Sequence, residues 1–191
     1  MAIALSDGYV QTALGHSTDS DQVLSCCHVL WGHQTAVTCV DLSSELDIVV
    51  SGSLGGRICV HTLRRGEFVR SITPSPYPVD KITLDNHGRM VAHAAERLYL
   101  YTINGTLICS VNVGERIHDM KITGEVLVTG GDRCHVYMRD LTSLKILSGL
   151  DLSKHGPIRS LTLTSAELDP LPQHLLIGSD DGMISIVDRA P

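Results

Sequence analysis

The side chains that could do chemistry in this sequence are ten histidines and six cysteines. Zinc and similar metal sites need such ligands in close pairs, but the sequence contains no H-E-x-x-H, H-x-H or C-x-x-C spacing. It also contains no G-x-S-x-G nucleophile turn and no P-loop. The spacing therefore predicts no catalytic residue, no metal site and no cofactor, and the chain is expected not to be an enzyme.

The cysteines favour a reducing compartment. Cys26 and Cys27 are adjacent, which is a poor geometry for a disulfide, while Cys39 and Cys59 lie inside apolar runs. Small buried thiols of this kind are typical of intracellular proteins. We therefore expect a cytoplasmic chain.

Composition restricts the class of partner. The formal net charge is −6, and the 15 lysines and arginines are spread along the chain, so a nucleic-acid partner is not expected. No apolar run approaches the roughly 18–20 residues of a membrane helix. Met1 to Leu5 is too short and uncharged for a secretory signal, so the chain is expected to be soluble.

The elements that position these side chains are short strands. Between Leu30 and Ile72 four strand-like runs alternate with turns rich in glycine, serine and arginine. Similar runs recur, and the residues that close each third strand, Thr62, Thr102, Asp140 and Asp188, are 40, 38 and 48 residues apart. Four strands beginning at a Gly-His pair, with a period near 40 residues, are typical of a WD-repeat β-propeller blade.

The predicted fold is all-β, a WD-repeat β-propeller of four four-stranded antiparallel blades that is part of a larger propeller. Residues 1–22 are expected to be a poorly structured N-terminal segment. The blades are expected over residues 23–191, at about 23–72, 73–111, 112–149 and 150–191. The spare strand Val23 to Leu30 could complete the fourth blade and close a ring, or the blades could form an open arc, which we favour.

Blades of the WD-repeat family resemble these repeats and hold their turns with a histidine, a serine or threonine, an aspartate and a Trp-Asp pair. In the first repeat His33 and Ser51 match this pattern, whereas His61 and Thr62 stand at the Trp-Asp pair. In the fourth repeat Ser179 and Asp181 match. The resemblance assigns structural roles to nine positions: His33, Ser51, His61, Thr62, Tyr101, Asp140, Ser179, Asp181 and Asp188.

A closer resemblance covers about 45 residues. Val29 to His33, Ser44 to Ser53 and His61 to Gly66 resemble the C-terminal WD-repeat region of BEACH-domain proteins, in the branch of neurobeachin and the LPS-responsive beige-like anchor protein. The resemblance implies a non-enzymatic scaffold for protein partners in vesicle trafficking, with a BEACH domain in the same longer chain as one partner. It also implies indirect or peripheral association with endomembranes.

Two other functions stay open from the sequence. One is a propeller-type hydrolase or metal-binding enzyme, and the other is a truncated fragment without independent function. A small basic patch at Arg64, Arg65 and Arg70 is either a solvated strand edge or a contact for an acidic partner or an anionic lipid.

Overall fold

The computed structural model describes residues 2–4, 10–15, 24–166 and 169–188, and every regular element in these ranges is a β-strand. The strands are β1 (Ala2–Ala4), β2 (Val10–Gly15), β3 (Leu24–Leu30), β4 (Val37–Ser43), β5 (Ile48–Ser53), β6 (Ile58–Thr62), β7 (Phe68–Ile72), β8 (Val79–Leu84), β9 (Arg89–Ala94), β10 (Arg97–Thr102), β11 (Leu107–Asn112), β12 (Ile117–Thr123), β13 (Val126–Gly131), β14 (His135–Asp140), β15 (Ile146–Asp151), β16 (Ile158–Ala166), β17 (Asp169–Ser179) and β18 (Ile184–Asp188). Within the described ranges, no helix is long and apolar enough to cross a membrane.

The strands form five sheets in which neighbours along the chain are neighbours in the sheet. Three sheets have four strands, β4–β7, β8–β11 and β12–β15, and two have three strands, β1–β3 and β16–β18. The four-stranded sheets correspond to the first three predicted repeats, except that the strand within residues 23–30 is not part of the first sheet. We call them the first, second and third blades. The sheet β16–β18 is the fourth blade. This arrangement confirms the all-β propeller architecture.

The chain divides into two compact units, residues 1–95 with 101–106 and residues 96–100 with 107–191. In the first unit β5 is buried along almost its whole length, with Val49 and Val50 fully inaccessible. Val50 pairs with the equally buried Val60 of β6. A continuously apolar inner strand is expected to be covered on both faces, and this one is.

The second unit has a core shared by the third and fourth blades. Its centre is formed by five buried aliphatic residues: Val128, Val136, Ile158, Leu161 and Ile177. They come from β13, β14, β16 and β17. Because a single blade cannot bury its own faces, this shared core is what gives the two blades one packed interior.

The N-terminal region differs in detail from the expectation of little structure before residue 23. Two strands, β1 and β2, lie there, while residues 1, 5–9 and 16–23 lie outside the described residues. The predicted spare strand is present as β3, and Val10 of β2 pairs with its last residue, Leu30. It therefore belongs to a sheet with β1 and β2, although the predicted bounds of the first blade, about 23–72, included it.

Candidate functional site

A buried set of polar side chains lies at the centre of the first blade. His33 follows Gly32 in the connector before β4, and its Nε2 is 2.8 Å from Ser51 Oγ on β5. Its other ring nitrogen, Nδ1, is 3.8 Å from Cys59 Sγ on β6. Ser51 and Cys59 are paired residues of the two strands, so one histidine links both of them.

A cysteine beside a histidine could form a nucleophilic pair, but the electrostatics oppose it. Burial, followed by the nearby His61 and Arg57, lowers the pKa of His33 to about 4. Burial raises the pKa of the Cys59 thiol to about 11, against a smaller opposing effect of Arg57. At neutral pH the imidazole is uncharged and the thiol keeps its proton, so no thiolate nucleophile forms. The contact instead resembles a structural hydrogen-bonded set.

His61 occupies the position where the family pattern has tryptophan. It is 2% exposed, and its Nε2 lies 2.8 Å from the carbonyl oxygen of Trp31. Since a carbonyl only accepts, Nε2 carries the proton and donates it. The ring also meets the edge of Phe68, with 5.4 Å between ring centroids. His61 therefore connects the backbone of Trp31 with the first residue of β7.

The same position in the other blades holds different side chains. Tyr101 is buried in the second blade, and Val187 is half-buried in the fourth. In the third blade Arg139 is buried, and its Nε donates to Thr129 Oγ1 at 3.4 Å. Its Nη1 donates to the carbonyl of Leu144 at 3.2 Å. We call the second and third strands of each blade strand b and strand c, here β13 and β14. In the third blade a guanidinium group on strand c thus contacts strand b and the turn that follows strand c.

Strand register shows which closing residues are equivalent. Thr62 pairs with Ile48. Asp140 pairs with Val126 in the third blade, and Asp188 pairs with His174 in the fourth. In all three sheets the next residues along the two strands also pair one for one from this first pair. The roughly 40-residue period read from the sequence therefore corresponds to equivalent places in the sheets.

The two serines that the sequence aligned with each other are not equivalent. Ser179 starts the turn after strand b and donates to the carbonyl of Met183, four residues on, at 3.2 Å. Ser53 does the same to Arg57 at 3.1 Å. The counterpart of Ser179 is therefore Ser53, and the place of Ser51 in the fourth blade is taken by Ile177.

In the fourth blade Asp181 accepts a hydrogen bond from Ser179 Oγ at 2.6 Å. Its other carboxylate oxygen lies 3.4 Å from His155 Nδ1. These hydrogen bonds hold the pKa of Asp181 below its usual range, with Ser179 as the main cause. His155, whose position in the sequence is displaced from the family pattern, is thus brought to the aspartate by the fold.

The second unit contains a charged network that was not predicted from the sequence. Arg159 Nε and Nη2 donate to the two carboxylate oxygens of Asp180 at 2.9 and 2.7 Å. Its Nη1 lies 2.9 Å from His118 Nε2, which is 2.6 Å from Asp132 Oδ1. Within the part of the chain that the structure describes, no three histidine, cysteine or acidic residues are placed to hold a metal ion.

Exposed residues of the first blade and of the connector before it lie around buried His61 and the turn that precedes β7. We call Trp31, Arg64, Arg65, Phe68 and Val69 together the aromatic–basic surface. Trp31 is 62% exposed and Phe68 53% exposed, and the two arginines lie in the turn just before Phe68. Large apolar side chains together with arginine are typical of the residues that dominate binding energy at protein interfaces. This surface is the candidate functional site of the described residues.

Comparison with known proteins identifies relatives of one kind. The family model of the neurobeachin beta propeller domain matches residues 7–188. BEACH domain-containing protein B of Arabidopsis thaliana is 35% identical over 164 residues, which are 83% of this chain and 6% of that protein. BEACH domain-containing protein lvsE of Dictyostelium discoideum is 29% identical over 175 residues, 83% of this chain and 8% of that protein. The chain thus corresponds to a small part of these relatives.

Two solved structures share the fold. The computationally designed Ika8 protein is 19% identical with a TM-score of 0.77, covering 98% of this chain and 55% of the designed one. The designed Ika4 protein is 20% identical with a TM-score of 0.71, covering 84% of this chain and 96% of the designed one. At this identity the likeness concerns the fold alone.

Proposed function

This chain belongs to the neurobeachin β-propeller family, and from that premise we propose that it is a non-enzymatic scaffold for protein–protein interaction in vesicle and membrane trafficking. Its relatives are BEACH domain-containing proteins, so a BEACH domain in the same longer chain is one proposed partner. We place the chain in the cytoplasm, peripheral on endomembranes through its partners.

The observation that carries this proposal is the contrast between the interior and the surface of the first blade. The interior histidine and cysteine are held neutral by burial, so the reactive side chains hold the fold together. The exposed residues are aromatic and basic, which suits binding rather than chemistry. A propeller that keeps its polar side chains in a packed interior and exposes apolar and basic side chains on its outer strands is suited to binding protein partners.

Affinity purification from cells tests the proposal. The tagged chain is compared with the same chain carrying Gly131→Ser, which is expected to disrupt the third blade for reasons given below. We expect trafficking proteins, including a BEACH-domain protein, to co-purify with the folded chain and not with the variant. Recovery of the same proteins with both chains would overturn the scaffold proposal.

A further inference from the structure

The aromatic–basic surface stands out against the charge of the whole chain. The net charge is −6, yet the side chains of Arg64 and Arg65 are adjacent and 79% and 77% exposed. Their ion pairs are loose, 3.7 Å from Arg64 to Asp47 and 4.0 Å from Arg65 to Glu67. Exposed pairs of this length contribute little, so an incoming carboxylate can replace them at small cost.

The turn that carries the two arginines is fixed from both sides. The backbone N–H of Arg64 donates to Asp47 Oδ1 at 2.9 Å, and its carbonyl accepts from His28 Nε2 at 2.8 Å. Within the turn, the N–H of Gly66 donates to the carbonyl of Thr62. The backbone is held while the guanidinium groups point outward, so little backbone order has to be gained when a partner binds.

The aromatic part of the surface is supported from beneath. His61 donates to the carbonyl of Trp31 and meets the ring of Phe68, as described above. Gly32, with φ of +152°, fits closely against Phe68, because a Cβ at this position would lie 3.6 Å from that ring and 3.1 Å from Cys59 Sγ. The ring of Phe68 and the backbone of Trp31 are therefore held by buried residues, which lowers the ordering that binding requires.

The second and third blades show what the first blade adds. Their outer strands also begin with exposed aliphatic pairs, Leu107–Ile108 and Ile146–Leu147. The turns before those pairs contain no arginine, and only Lys145 is basic. An exposed apolar pair is thus common to these three blades, whereas an aromatic member of the pair and two arginines in the preceding turn distinguish the first.

We propose that the aromatic–basic surface binds an acidic peptide segment of a protein partner, whose apolar side chain packs on Trp31 and Phe68 while its carboxylates pair with Arg64 and Arg65. This proposal rests on the scaffold function and names the chemistry of one of its partners. Charge complementarity favours the acidic segment: the surface offers the exposed guanidinium groups of two consecutive residues, and each guanidinium can bind a carboxylate with two hydrogen bonds.

Selection from a random peptide library displayed on phage tests this chemistry without a known ligand. We expect selected peptides to combine aspartate or glutamate with leucine, phenylalanine or tryptophan. Binding of a selected synthetic peptide is then followed by the emission of Trp31, the only tryptophan, which should shift to shorter wavelength. The variant Arg64→Glu/Arg65→Glu should bind at least tenfold more weakly, and high salt should weaken binding of the unchanged chain.

The matched control is Ile146→Ser/Leu147→Ser, which alters an exposed pair at the equivalent place in the third blade and should leave peptide binding unchanged. Far-UV circular dichroism checks that every variant is folded. Peptides without acidic residues, or equal binding by the charge-reversed variant, would overturn the proposal. Binding to anionic phosphatidylserine vesicles, with no selected peptide competing for the surface, would overturn it in favour of a membrane. If Arg64→Glu/Arg65→Glu keeps its co-purifying partners, this surface is excluded while the scaffold function stands.

Discussion

The first and third blades fill the same place in strand c with different chemistry. In the first blade His61 is neutral there, because burial lowers its pKa more than its hydrogen bond to Trp31 raises it. In the third blade Arg139 is buried too, and burial lowers its pKa, but an arginine stays charged at neutral pH. Each of these two blades thus places a donor at this position that reaches the neighbouring backbone, neutral in the first and charged in the third, whereas the fourth blade has Val187 there.

The largest predicted effect comes from exchanging one register position between these blades. Ser53 of the first blade corresponds to Gly131 of the third. A Cβ on Gly131 would lie 2.2 Å from the carbonyl oxygen of Arg116. We expect Gly131→Ser to destabilise the protein by about 3 kcal/mol or more, because backbone has to move. Thermal unfolding followed by circular dichroism measures the loss.

The reverse exchange is the control. Ser53→Gly removes one hydrogen bond to the carbonyl of Arg57 and should cost only about 1 kcal/mol. Equal losses from Gly131→Ser and Ser53→Gly would show that the two blades have the same space at this position and would contradict the comparison.

Arg139 gives the next largest effect. Arg139→Ala removes its contacts with Thr129 and Leu144 and leaves a cavity, so we expect a loss of about 2–4 kcal/mol in urea-induced unfolding. Arg139→Met refills the space without the buried charge, and should cost about 1 kcal/mol or less. A methionine variant as unstable as the alanine variant would show that the charge itself stabilises the third blade.

The sequence predicted the strands and the period because apolar runs, turn residues and a repeat of about 40 residues are local signals. It placed Thr62, Asp140 and Asp188 correctly relative to strand b, as their pairing shows. It aligned Ser179 with Ser51 and not with Ser53, because Ser51 and Ser53 lie two residues apart on one strand, where period-two alternation puts them on the same face. Only the hydrogen-bonded register separates them.

Other features could not be read from the sequence because they depend on distant pairs. Arg159 is 21 residues from Asp180 and 41 from His118, and a network of this kind leaves no local pattern. Strand β1 has three residues and is defined by its pairing with β2. The exposure of the Phe68 ring could likewise not be predicted, because an apolar residue in a strand pattern predicts burial.

The pH dependence of stability distinguishes the first blade, whose buried histidines are neutral, from the third and fourth blades, which contain the charged Arg139 and Arg159. His33 has a pKa of about 4 in the folded chain, below the ordinary 6.5, so the unfolded chain takes up a proton first as the pH falls. The stability due to His33 is complete above pH 6.5 and is lost between 6.5 and 4. After allowing for partial solvent exposure, we expect a loss of about 1–2 kcal/mol over this range.

Urea unfolding at several pH values, followed by the emission of Trp31, measures this loss in the first unit. His33→Gln removes the titrating group, so its stability should change less between pH 6.5 and 4 than that of the unchanged chain. The same slope in both proteins would show that His33 does not account for the loss.

The smallest effect is expected from the exposed ion pair of Arg159 and Asp180. This pair is compared with the buried hydrogen bond between His33 and Ser51 in the first blade. Hydrogen bonds from Arg159 hold the pKa of Asp180 below its usual range, so this contribution is present above the ordinary carboxyl pKa and is lost as the pH falls through the lowered one. Because both groups face solvent, salt screens their attraction. Asp180→Asn should therefore lower the melting temperature slightly at low ionic strength and leave it unchanged at 1 M salt, whereas Ser51→Ala should lower it equally at both. A loss of melting temperature for Asp180→Asn that persists in high salt would mean that Asp180 acts through packing or through a hydrogen bond that salt does not screen. The ion pair of the fourth blade would then resemble the neutral hydrogen-bonded set of the first blade more than its geometry indicates.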